Sequence, residues 1–140
     1  IVNLEKFKDK YVFDENFFFF FEDIDLCKRV KIMKENIFVF NKIKIIHEGA
    51  KGVNPSISQK YSDFRHWNFF WAKFYYFKKH YGYFYALLKH FGKLIRFPFN
   101  CLRYYFISDA EYRKNKYRFL GLLNSVCFKE SSLSKKILEK

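Results

Sequence analysis

Three carboxylates fall within four positions, at Glu22, Asp23 and Asp25, between the aromatic run Phe17 to Phe21 and the basic pair Lys28-Arg29. Carboxylates this close repel one another and lose hydration beside phenylalanine rings. The block therefore points to one of three tasks: proton abstraction, metal binding or capping of a helix. Asp25, immediately before Leu26, is placed to cap a helix that starts there, a role that stabilises by ~0.5–2 kcal/mol and that Asp23 could also fill. Asp23-Ile24-Asp25 also has the Asp-x-Asp spacing of a divalent-metal and diphosphate site. His47 is a further titratable group, followed by Glu48-Gly49, where glycine lets the backbone turn sharply. A lone histidine is more often structural or simply exposed.

The elements that would position these groups can be read from periodicity. Leu26, Val30 and Met33 share one face of a helix and Lys28, Arg29, Lys31 and Lys34 the other, with an end near Glu35-Asn36. Ile37 to Ile46, rich in Ile, Val and Phe, reads as a strand ending at His47. Helix followed by strand is the alternation of an α/β layer, so residues 1–52 are expected to belong to an α/β domain. Residues 53–62, with Pro55 and serines, read as a linker. Residues 63–140 read as a helical extension. Within it Trp67, Phe70, Trp71, Phe74, Phe77 and Tyr81 repeat at helical spacing. Phe84, Leu87, Leu88, Phe91 and Ile95 repeat the pattern against Lys89, Lys93 and Arg96, with Pro98 expected to end that helix. Ser108-Asp109-Ala110-Glu111 fits a capping box that opens a further helix running toward Asn124.

Charge is distributed unevenly. The net charge is +13, yet residues 1–48 balance nine Lys/Arg against nine Asp/Glu, whereas residues 49–140 hold eighteen against five. A basic tail of this kind calls for an anionic partner. Cys27, Cys101 and Cys127 are odd in number and widely spaced, which points to reduced thiols rather than a disulfide frame or zinc site. No stretch reaches the roughly 18 apolar residues of a membrane-spanning helix. The chain starts at Ile1 with its single methionine at Met33, so it is expected to begin inside a longer protein.

Phe13-Asp14-Glu15-Asn16-Phe17-Phe18, then Phe21-Glu22-Asp23-Ile24-Asp25-Leu26-Cys27-Lys28-Arg29, then Ile45-Ile46-His47-Glu48-Gly49 together resemble the C-terminal part of the catalytic domain of glycosyltransferase family 2. These are inverting GT-A enzymes, and the basic aromatic tail resembles that of rhamnosyltransferase-like members. The resemblance implies that residues 1–52 close a GT-A domain and that Asp23 is the general base, with Glu22 beside it in the acceptor site. Asp25 would be a cap or substrate-side neighbour, and His47 would approach the metal or diphosphate. It further implies a nucleotide-sugar donor, a divalent metal (Mg or Mn) and a saccharide or lipid-linked acceptor. The family's metal-binding Asp-x-Asp lies well upstream, so Asp23-Ile24-Asp25 would be a decoy for it. The chain alone would be inactive.

A lipid-linked acceptor would place the protein on the cytoplasmic face of the membrane as a peripheral protein. Trp67 and Trp71 would then sit at headgroup level, with Lys73, Lys78 and Lys79 meeting anionic lipid. For any one of these rings, burial in a core is at least as probable by composition. The alternative function is a nonenzymatic basic protein binding membrane or nucleic acid, although nothing here resembles an RNA-binding aromatic motif and no nucleic-acid partner is expected.

Overall fold

The computed structural model describes residues 3, 5, 7, 12–39, 42, 44 and 58–130. Four helices carry it: α1 (Glu22–Ile32), α2 (Ser58–Tyr81), α3 (Tyr83–Tyr104) and α4 (Asp109–Val126). Among the described residues there is no strand, so the expected α/β architecture gives way to an all-helical one. The physical reason lies in pairing. A strand needs a ladder partner for its N–H and C=O groups, and Ile37 to Ile46 is the chain's single strongly β-prone run. Its described part, at 37–39, 42 and 44, is non-strand, and the remainder lies outside the described residues.

Helix α1 begins four residues before the expected start. Phe21 takes a left-handed conformation (φ 69°) and caps the helix with no side-chain bond, so Asp23 and Asp25 sit inside the first turn rather than before it. Their charge with that of Glu22, and Arg29 and Lys31 in the last turn, complement the helix dipole. α2 and α3 are separated at Gly82 alone, whose φ of 90° is a conformation that glycine adopts without strain. α3 runs through Pro98 instead of stopping there. Phe97, 1% exposed beside it, packs its ring edge-on to Phe70 of α2 at 4.9 Å, holding the segment in place despite the missing amide donor. Ser108 accepts from the amide of Glu111 at 3.4 Å, as the capping box requires, while the Glu111 carboxylate turns to Lys114.

α4 packs against both α2 and α3, and two adjoining apolar clusters fill the spaces. Phe17 from the segment before α1 joins Trp67, Trp71, Ala72 and Tyr76 of α2 in the first. Phe70 and Phe74 meet Ala86, Phe97 and Leu122 in the second. Residues before 53 and after 63 thus share one core. Asp63 is buried and accepts from Arg113 of α4 and from Gln59 at 3.2 Å, which pairs the only carboxylate of α2. The backbones of α2 and α4 come close at Gly121, where an added Cβ would lie 2.1 Å from the carbonyl oxygen of Trp67.

His90 is fully buried in the second cluster, its ring 5.6 Å from Phe74 and 5.7 Å from Phe77. Its Nδ1–H donates to the Ala86 carbonyl at 2.8 Å, and Nε2 has no partner among the described residues. Burial, reinforced by the nearby Lys93, Lys73 and Lys89, pushes its pKa from 6.5 down to about 4.

Two outcomes are expected. Gly121→Ala should force α2 and α4 apart and destabilise by at least ~1–3 kcal/mol in denaturant melts, because the obstructing atoms are backbone. His90 favours the fold only when neutral. Stability should therefore be full above pH 6.5 and decline as pH falls toward about 4, by roughly 3 kcal/mol in all; His90→Gln should flatten that slope in urea titrations at stepped pH.

Candidate functional site

The acidic block of α1 meets the C-terminal end of α2. Asp25 is fully buried, which for a charged carboxylate requires partners. It has three. Arg29, one turn along α1, donates through Nε to Oδ2 at 2.9 Å; Lys79 and His80, adjacent on α2, each approach Oδ1 at 2.8 Å. Lys79 also donates to Asp14 Oδ2 at 2.8 Å, and the same oxygen accepts from the Tyr75 hydroxyl at 3.1 Å. Arg29 reaches back to the carbonyl of Val12 and lies over the Phe7 ring. Lys79 is the bridge: one ammonium ties α1, the turn at residues 14–16 and α2.

Electrostatics follows from these contacts. Burial raises the Asp25 pKa, but hydrogen bonds from Lys79, His80 and Arg29 outweigh it, so the carboxyl stays ionised below its ordinary range. Asp14 is likewise desolvated. Lys79 and both the backbone and side-chain amides of Asn16 overcome that effect, and its pKa falls to about 2. Tyr75 moves the other way: burial and the neighbouring Asp14 anion keep its phenol protonated.

The three carboxylates of the block have separate environments. Asp23 is exposed, with Oδ1 accepting from the Ile24 amide at 2.8 Å. Glu22 is half-buried, and its Oε2 is enclosed without a partner among the described residues. Asp25 points inward to its cations. Residues two apart on a helix lie about 200° round from each other, so Asp23 and Asp25 cannot share an ion from one face. No group of three His, Cys, Asp or Glu able to hold a metal occurs among the described residues, and His47 lies outside them.

The residues expected at a membrane interface are dispersed. Trp67 and Trp71 are 1% and 6% exposed, and Trp71 donates its indole N–H to the Lys129 carbonyl at 3.0 Å. Both rings are interior because Phe17, Tyr117 and Leu120 cover that face of α2. Lys73 lies 5.5 Å from the Phe69 ring centre, and Lys78 sits over Tyr75 and Phe128. Lys79 is spent in the carboxylate network. Tyr75 and His80 are the members that sequence reasoning missed, since their partners Asp14 and Asp25 lie more than fifty residues away. The available signal was the basic run Lys78-Lys79-His80 at the end of an aromatic helix, set against the acidic stretch between Asp14 and Asp25.

Comparison with family models, curated proteins and solved structures gives no match.

Asp25→Asn keeps the shape but leaves Lys79 and Arg29 with one compensating charge fewer, and is expected to destabilise by about 3 kcal/mol. Asp23→Asn, at an exposed position, should shift the same melt by under ~0.5 kcal/mol. Equal effects would mean that the two carboxylates are not differently held.

Proposed function

We propose that the chain is the acceptor-side segment of an inverting glycosyltransferase, with Asp23 as general base. The observation that carries this reading is the separation of roles within the acidic block. Asp25 is held by three partners, the cations Lys79 and Arg29 and the ring of His80, and braces the first turn of α1, while Asp23, two residues earlier, is exposed and, among the described residues, anchored through one oxygen. A base must present a carboxylate oxygen to the hydroxyl it deprotonates, and a carboxylate already saturated by donors cannot. The order of residues from Phe13 to Arg29 supplies the rest of the support.

On this reading Asp23 takes the proton from an acceptor hydroxyl as that oxygen attacks the anomeric carbon, and the nucleotide diphosphate leaves from the opposite side. Glu22 borders the acceptor. The acceptor is a surface polysaccharide or its lipid-linked precursor, and the nucleotide sugar is held elsewhere in the parent enzyme. The described residues do not fit a divalent metal, so no step is assigned to one here.

The test is a transfer assay on the parent enzyme. Asp23→Asn should lower kcat by ~10²–10⁴ with the donor Kd unchanged, the size expected for loss of a general base. Turnover within a few-fold of wild type would remove the assignment. Loss of donor binding would instead make Asp23 a donor-site residue.

A further inference from the structure

Among the described residues, the longest exposed apolar stripe belongs to α3. Phe84, Leu88, Phe91, Ile95, Phe99 and Leu102 are each between 58% and 80% exposed, and Phe106 in the following turn is 91% exposed. At about 100° per residue all seven fall within roughly 80° of arc, over a length of about 33 Å. Their spacing is an eleven-residue repeat, 84-95-106 with 88-99 and 91-102. That period, about 3.67 residues per turn, stays close to the 3.6 of a straight helix, so the stripe runs nearly parallel to the axis of α3 instead of winding around it.

Charge indicates what it meets. Lys89, Arg96 and Arg103 are exposed and lie together on one flank of the stripe, about 100° round from its centre. Between Asp63 and Asp109 the chain has eight Lys/Arg and no Asp or Glu. On the opposite flank the stripe borders a largely apolar cavity of about 400 Å³ between α3 and α4, with Pro98, Leu102, Tyr105, Tyr112 and Phe119 in its wall and Lys116 among them. No described helix is long and apolar enough to cross a bilayer.

We propose that α3 lies in the plane of an anionic bilayer, its Phe84–Phe106 stripe among the acyl chains and its Lys89-Arg96-Arg103 flank at the phosphates. Long basic side chains beside an apolar stripe place their stems along it and their charges at headgroup depth. The cavity shares Leu102 with the stripe and is of a size to accept part of a chain. This docking surface is on α3, not on the Trp67-Trp71 face of α2, and it stands whether or not the acidic block performs transfer.

The test is co-sedimentation of the whole 140-residue chain with phosphatidylcholine vesicles, with and without phosphatidylglycerol, at low and high salt. Folding is checked by circular dichroism in every variant. Wild type should pellet with the anionic vesicles and retain part of that binding at high salt. Leu88→Glu with Phe99→Glu, both at exposed positions, should lower the partition coefficient at least about ten-fold. Arg96→Glu with Arg103→Glu should abolish the preference for phosphatidylglycerol. Three results would overturn the proposal: no vesicle binding by folded wild type, unchanged binding by the folded Leu88/Phe99 variant, or a stable dimer that the same variant dissolves. The last would assign the stripe to a second copy of the chain. None of them bears on Asp23, whose role is read from turnover.

Discussion

The structure turns on a buried carboxylate. Asp25 sits where water cannot reach it, and an unpaired charge there would cost far more than a domain's whole stability margin. Lys79, His80 and Arg29 make the burial tolerable, and in doing so they fix where α1 lies on α2. The remainder of the front segment is arranged to suit. Asp14 accepts a further hydrogen bond from the Lys79 ammonium, Tyr75 donates to Asp14, and Phe17 turns edge-on to Tyr75 with ring centres 4.9 Å apart. Such a network contributes positional specificity more than net stability, because desolvation consumes most of its attraction.

Around that polar pin the packing is mostly aromatic. Trp67, Trp71 and Tyr75 form a stacked ladder along α2, at 6.4 and 5.2 Å between centres. Large rigid rings bury much area with little side-chain entropy. They also need small residues opposite. Gly121 of α4 meets that need, pressed against the Trp67 carbonyl. His90 in this interior is held neutral by its burial, and the nearby Lys93, Lys73 and Lys89 add to that effect.

The helical half was legible because its signals are local. The Ser108 cap and the α2 apolar period lie within a few residues of sequence, and they correspond to α4 and to the buried Trp67, Phe70, Trp71 and Phe74. The α/β expectation failed because a strand is not a local object. Ile37 to Ile46 has strand composition, but pairing depends on a second run that these residues do not supply. The Pro98 stop failed for a related reason: tertiary contact at Phe97 overrode a local breaker. At the candidate site, the acidic block itself was conspicuous. Asp25 has Arg29 one turn along α1, a spacing visible in the sequence, but its other two partners, Lys79 and His80, lie more than fifty positions away and no local pattern points to them.

The same limit explains why two aromatic helices of similar composition ended on different sides of the fold. α2 and α3 each carry rings at helical spacing interleaved with lysines, and in composition either could have faced outward. The difference lies in what each offers on its other face. α2 brings Asp63, Lys79 and His80, which meet Arg113 and Asp25 and so draw α2 between α1 and α4. α3 has no carboxylate to pair, and Ala86, His90 and Phe97 give it just one narrow face to bury. Its wider apolar face, from Phe84 to Phe106, is then left over once the helices have packed. An uncovered face of that length in a chain of high positive charge is stable in solution only while its lysines and arginines keep copies apart, and it is most stable where those cations and that face are satisfied together.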